Sequence, residues 1–561
     1  MPPEATFSLP FRYLFVRLYK KKDRAYQYFY LRLLREQTMA QPIVVDPHAI
    51  PTHGSCRIVP PEAEEQSPYA RLLPSSSHVY NPLAIALLAG PLGPMQSRGR
   101  NDRSLKPRIP SGFTFILQLI DHDLTEQVGN ALSLGRRQIV SPEGAPTALN
   151  GKTGRLDLDS LYGAIGKQQL VDNRLFDERG HFILSKTVRV VHQRREDNDE
   201  ENGEGAHGFS GPRDIERGID FGTDTRRIAD GRNDENKIVV QHHILFARLH
   251  NKLMEDHGLQ FLQARTMVLL TWQRIIFADV LPRIVSKDVI EKVKLAHADG
   301  NTLYQHMNNR INTALPNVRH GDYEQLVAMP VEFAHAAFRF GHSMLRNAYR
   351  MNSEHALPLF TTFPVASSED CNTNDDLRGH VEITEETEID FRFFFGPDPQ
   401  YAEPIDVKIP AALFRLPPVT GITDIPLSLP HRNILRGIDF GLPSGQEAAF
   451  TYAHVYGTFP LVKDLGIPKD VLDADRGLGE HTPLFYYVLR EAEELNGNAT
   501  QLGPLGSLIV GETLVGSLAA SGFDIGQQVP DHRHYMKIPE HPITYDGIWT
   551  MVELLHYLGE L

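Results

Sequence analysis

Apolar residues recur at helical spacing in six stretches of the chain. The pattern predicts helices over 113–132, 237–258, 262–285, 330–351, 482–495 and 505–522. The 237–258 segment is amphipathic and stops at Gly258, a residue suited to closing a helix. The 262–285 segment is apolar almost all round and is expected to lie deep. The 330–351 segment opens on Pro330, a favoured first-turn residue. Strand-like runs are few and short, with TVRVV at 187–191 the clearest. The expected fold is mainly α: one large domain of many helices with long irregular loops and few short strands. Long ordered loops between helices point to function, or to a large group that organises them.

The stretches without periodicity divide the chain. Residues 1–75 are expected to form an N-terminal helix and an extended arm, the arm being rich in Pro, Ser and Glu from residue 40 onward. The large domain is expected to fill 76–561. Residues 95–112 read as a basic loop, and 194–213, polar, acidic and Gly-rich, as a solvated one. Residues 364–390 and 395–410 are irregular.

Composition changes this picture little. Hydrophobic residues make up 41% and charged residues 23%, enough to build a sizeable core. The net charge of -13 argues against a nucleic-acid partner. Two cysteines, Cys56 and Cys371, supply neither a disulfide framework nor a CxxC metal pair. No apolar run reaches the roughly 18 residues of a membrane-spanning helix. At the N-terminus the basic cluster Lys20–Lys22 follows the apolar stretch, the reverse of a standard signal peptide, so a cytoplasmic or non-classically secreted protein is expected. The basic and aromatic residues interleaved there also suit an interfacial membrane helix.

Chemistry concentrates in four places. In Gln118-Leu-Ile-Asp121-His122-Asp123, residues 118, 121 and 122 share one helix face. Asp123 is turned about 100° away, toward a different partner. Downstream, Thr153-Gly-Arg155-Leu-Asp157-Leu-Asp159 alternates oxygen donors on a short loop, which suits a hard cation. Arg232 and Glu235 lie just ahead of the 237–258 helix, which also carries His242, His243 and His250 without an HExxH zinc pattern. Phe338-Arg339-Phe340-Gly341-His342 lies in the 330–351 segment, where His335, Arg339 and His342 fall on one helical face. Taken singly, these read more simply as a polar stripe, a surface turn, a surface ion pair and a core histidine.

Together, and in this order, they resemble the motifs of the animal haem peroxidase superfamily, over roughly residues 76–560. The resemblance implies haem b as cofactor. It implies His122 as distal acid/base, Gln118 as its polar neighbour and Arg232 as the distal arginine, with His342 as the axial iron ligand. His335 is then a decoy, and the histidines of 237–258 are structural. RNILRGIDFGLP (432–443) is similar to the family's N-x-x-R-G-R-D-x-G-L-P, with Ile438 where Arg is common. Asn433 is the implied partner of His342, and Arg436 the partner of a haem propionate or an acid. Asp121 and Glu235 are the implied ester links to haem. Asn236 stands where mammalian granule peroxidases carry a methionine that bonds to the haem, so that link is not possible here. A bound Ca²⁺ is implied with Asp123, Thr153, the Arg155 carbonyl, Asp157 and Asp159 as ligands.

The expected activity is a peroxidase reducing H₂O₂ and oxidising a small organic reductant or a halide. The alternative is a dioxygenase acting on an unsaturated fatty acid. That branch carries a tyrosine near the proximal ligand, often in Y-R-F-H; here Tyr349-Arg350 is present without Phe-His. A haem-free structural protein retaining the fold is the third reading.

Overall fold

The computed structural model describes residues 67–97, 109–126, 149–163, 174–186, 211–217, 226–316, 325–360, 375–416, 427–495, 499–529 and 543–561. The expected 1–66 arm and helix, the 187–191 strand and most of the 194–213 loop lie outside these residues. What is described is mainly α. Helices α1 (Pro82–Ala89), α2 (Gly112–Leu124), α3 (Lys237–His257), α4 (Phe261–Ile275), α5 (Lys287–Ala298), α6 (Leu303–Ala314), α7 (Val331–His335), α8 (Leu429–Asp439), α9 (Gly445–Tyr456), α10 (Leu484–Leu495), α11 (Pro504–Ala520) and α12 (Met551–Leu558) carry the core, with shorter turns between them. The strands are two to four residues long. β1 (Ser67–Ala70) runs antiparallel to β2 (Leu149–Asn150) and parallel to β3 (Met329–Pro330).

Local sequence explains the helix ends. Asn236 caps α3 by accepting from the Ile238 and Val239 amides, and Gly258 closes it at φ 64°. α11 is buried on every side from Leu505 to Leu518 and packs on α5, α9 and α10.

Three expectations are corrected. First, residues 67–73 are not part of an arm: β1 is paired on both edges, and Tyr69, Ala70, Leu72 and Leu73 are core residues. Second, 113–132 is not one helix. α2 stops at Leu124 and Thr125 is extended (φ -134°, ψ 133°), because the carbonyls of His122 and Thr125 are taken by Arg232. Third, 330–351 is broken. After α7 the chain leaves helical geometry at Ala336 (φ -142°, ψ -72°) and continues as a 3-10 segment, Ala337–Met344. The Arg339 side chain donates to the Ala334 carbonyl that a continuing helix would use (3.0 Å). The 262–285 segment contains a π-helical stretch at Ile276–Val280, where the wide turn holds Asp279 against Arg283 (2.7 Å) and the Met551 amide (2.8 Å) at the start of α12.

Two packing contacts position the chemistry. α2 crosses α3, and its other side meets the 3-10 segment 337–344. α2 thus contacts both the 231–234 segment and the segment carrying His342.

Candidate functional site

On α2, His122 is buried and its Nδ1 lies 2.7 Å from Asn233 Oδ1. The Asn233 amide nitrogen reaches His243 Nδ1 (3.0 Å) and the Ser160 carbonyl (3.2 Å). That leaves His122 Nε2 facing Glu235 Oε1 at 3.7 Å, and the same oxygen accepts from Gln118 Nε2 at 2.7 Å. Gln118, His122 and Glu235 thus converge, while Asp121 points aside and accepts from Thr125 Oγ1 (3.0 Å). The segment bearing these partners is fixed from behind. Gly379 donates to the Glu235 carbonyl and His380 to that of Asp234. An added Cβ at Gly379 would come within 1.8 Å of the Asp234 carbonyl oxygen.

Arg232 closes the end of α2. Its guanidinium donates to the His122 carbonyl (2.9 Å), the Thr125 carbonyl (2.7 Å) and both oxygens of Asp230. A cation on the last carbonyls of a helix is favourably placed, and it satisfies acceptors the helix itself leaves open. Burial opposes ionisation of Asp230, but Arg232 and Lys152 outweigh it and hold its carboxyl well below the usual range. Arg232 is therefore a fixed charge tied to the backbone of His122.

On the other side, His342 Nδ1 lies 2.8 Å from the Asn433 amide nitrogen, and the Asn433 oxygen accepts from Arg339 (3.1 Å). Burial, then the Arg339 charge, pushes the part-buried imidazole down to about 3, which favours the neutral ring. An added Cβ at Gly341 would meet no atom within 4 Å, so the backbone beside His342 borders open space. Asn433 and Arg436 both come from α8. Arg436 acts electrostatically on His335 and Asp439, and burial pushes the Asp439 carboxyl up to about 6 against that charge. His335 does not share a face with His342, since the helix breaks between them; its ring stacks on Phe440 (centroids 4.0 Å) and leans on Tyr69 (5.1 Å).

Asp123, Asp157 and Asp159 place one oxygen each within 4.8 Å of one another. Trp272 Nε1 donates to one Asp123 oxygen (3.0 Å), and Thr153 Oγ1 to Asp157 (2.9 Å). Burial, then the neighbouring Asp159 and Asp157 charges, raises the Asp123 carboxyl well above its ordinary value. Burial, with Asp157, raises Asp159 to about 7. Gly154 and Leu158, both at positive φ, shape the loop. The Arg155 side chain points away, to the Ala520 and Gln325 carbonyls.

Of the 237–258 histidines, His242 and His250 bond to the carbonyls of Ile238 and Gly180 and are structural. Sequence reasoning missed His243 as a partner of the site, along with Asn233, Lys152, Asp230 and Trp272. Asn233 stood inside a segment already singled out, one residue past Arg232. Nothing in the sequence pairs Lys152 or Trp272 with the cluster.

Two imidazoles on packed helical segments are each anchored through Nδ1 to an asparagine, in a mainly helical protein. A family model for animal haem peroxidases matches residues 113–448, and the chain belongs to that family. Haem binding follows from membership, and the donor set fits it: among the described residues no hydrogen bond reaches His342 Nε2, and burial favours the neutral ring. Among solved structures, Peroxidase A from Dictyostelium discoideum shares the fold, with TM-score 0.52 and 16% identity over 81% of this chain and 88% of that one. Fatty acid alpha-dioxygenases from Arabidopsis thaliana (TM-score 0.46, 13% identity, 85% of this chain, 72% of that one) and Oryza sativa (0.42, 12%, 85%, 76%) are also similar. No curated protein matches the chain.

Proposed function

We propose that the chain is a haem-dependent peroxidase, with His342 as axial ligand and His122 as distal acid/base. The observation that carries this reading is the pairing of His122 with Asn233 on one side and of His342 with Asn433 on the other. When bound, haem supplies the redox chemistry of peroxide reduction. His342 Nε2 serves as a donor only if the proton sits on Nδ1. A half-turn of the Asn433 amide would put its oxygen there to hold that proton, in exchange for the bond that oxygen now accepts from Arg339, and requires Arg339 to turn away. His122 Nε2 takes a proton from peroxide and returns it to the leaving oxygen. Asn233 fixes the ring that does so, and Gln118 and Glu235 keep the space over Nε2 polar. Arg232 offsets negative charge as the O–O bond breaks; being already fixed, it needs little rearrangement.

Asp121 and Glu235 are the residues proposed to form haem esters, and Arg436 to pair with a haem carboxylate. The Asp123–Asp157–Asp159 cluster, with Thr153 and the Arg155 carbonyl, is proposed to hold Ca²⁺. Replacing the protons of raised, crowded carboxyls by a divalent ion relieves their repulsion. Trp272 and Asp123 then join α4 to the helix carrying His122.

A second reading, the fatty-acid dioxygenase, rests on Tyr349. It is buried beside α2, edge-on to Phe115 (5.2 Å), and its hydroxyl accepts from the Arg346 amide (3.0 Å). Haem-loaded protein assayed with a phenol or halide, with and without H₂O₂, tests the proposal. Peroxide-dependent oxidation is expected. Oxygen uptake on linoleate without peroxide, abolished by Tyr349→Phe, would establish the second reading instead.

A further inference from the structure

Lys152 is a lysine with a relative exposure of only 6%, and buried ammonium groups need partners. Its Nζ lies 3.1 Å from Asp159 Oδ1 in the three-carboxylate cluster and 3.0 Å from Asp230 Oδ2 in the ion pair that fixes Arg232. That same Asp230 oxygen accepts from Arg232 Nη2 (2.7 Å), and Arg232 Nη2 also donates to the His122 carbonyl (2.9 Å). A continuous path of polar contacts therefore runs from the cluster to the backbone of His122, with Lys152 in the middle. Asp159 and Asp230 both attract the ammonium, whereas Arg232 pushes on it and Glu126 adds a smaller pull. One Asp123 oxygen, fully buried, has no hydrogen-bond partner, which marks the cluster as incomplete without a ligand.

We infer that Lys152 is a movable link between the two carboxylates: a cation entering the cluster displaces it from Asp159 toward Asp230, where it competes with Arg232 for the shared oxygen. Lys152 is thus a positioning residue and not a ligand. A cation on Asp159 repels the ammonium and takes over the carboxylate that held it, and Asp230, already at 3.0 Å, receives it. Filling the cluster is then felt at Arg232, and through Arg232 at the helix end that carries His122. This role of Lys152 rests on the cation reading of the cluster proposed above.

Charges fixed in place act additively on an ion, so a non-additive change in affinity reports that Lys152 moves. Ca²⁺ affinity of the haem-loaded protein is measured by competition with a chelator of known affinity, in wild type, Asp230→Asn, Lys152→Met and the double variant. Asp230→Asn takes away the acid that receives Lys152, so the ammonium stays on Asp159 and opposes the cation. The factor by which Asp230→Asn lowers the affinity is expected to be at least about threefold larger with Lys152 present than in Lys152→Met. Lys152→Arg, which keeps the charge and the reach, is expected to retain that excess. Should Asp230→Asn fail to fold, Arg232→Met carries the test with the sign reversed: it opens Asp230 to Lys152, and the factor gained is expected to be at least about threefold larger with Lys152 than without. Should Lys152→Met fail to fold, Lys152→Gln replaces it. A smaller excess, or none, overturns the inference. Wild-type protein that binds no Ca²⁺ overturns the cation reading beneath it, a different result from additive effects.

Discussion

Asn233 is the most consequential single side chain around His122. It holds His122 Nδ1 at 2.7 Å and is held in turn by the Ser160 carbonyl and His243. Burial lowers His243 to about 4, so it stays neutral and offers Nδ1 as an acceptor for the Asn233 amide. Asn233→Ala removes the anchor without touching the axial side. Its reaction with peroxide, followed by rapid-mixing absorption, is expected to slow about tenfold, the cost of one buried hydrogen bond. Haem content should stay near wild type. A wild-type rate in Asn233→Ala would show that the imidazole is oriented by something else.

At the scale of elements, the site depends on how segments are held rather than on helix propensity. The 231–235 segment is pinned by the backbone of Gly379 and His380, and the close approach at Gly379 leaves no room for a methyl group. Gly379→Ala is expected to slow the peroxide reaction more than tenfold while lowering the melting temperature by only a few degrees. Equal rates in the two proteins would count against this bracing. The carboxylate cluster, proposed to hold Ca²⁺, ties α2 to α4 through Asp123 and Trp272. Chelation is expected to lower the melting temperature and to loosen haem, and Ca²⁺ is expected to restore both. Metal analysis that finds no calcium in fully haem-loaded protein would contradict this. Glu491 of α10 accepts from the Leu505 and Gly506 amides at the start of α11, and burial raises it to about 7. The folded state therefore holds a proton, between the ordinary carboxyl range and pH 7, that the unfolded chain has released. Its contribution to stability is present at low pH and lost as pH rises through about 7, by about 1–3 kcal/mol. Thermal melts of Glu491→Gln across pH 5–8 are expected to be flatter than wild type; parallel curves would remove Glu491 from the account.

For the molecule as a whole, the helical class and most long segments were legible because period and length agree: 237–258, 482–495 and 505–522 appear within a residue or two of their expected bounds. The breaks were not legible. Arg339 and Arg232 end helices by taking carbonyls through side chains, one of them from more than a hundred residues away, and periodicity carries no trace of that. The same limit applies to the site. The division of labour along α2, with His122 and Gln118 on one face and Asp123 on another, follows from helical geometry and is what the fold shows. Lys152 and Trp272 reach the carboxylate cluster only through folding, so periodicity carries no trace of them.

His122, held by Asn233, is proposed to move the proton that peroxide must lose. Rapid mixing of haem-loaded His122→Ala with H₂O₂ tests it most directly, with the change in the haem absorption band as the signal. The account predicts a rate constant lower than wild type by a factor of about 10²–10⁴, with haem content unchanged. A rate constant within a few-fold of wild type would contradict it.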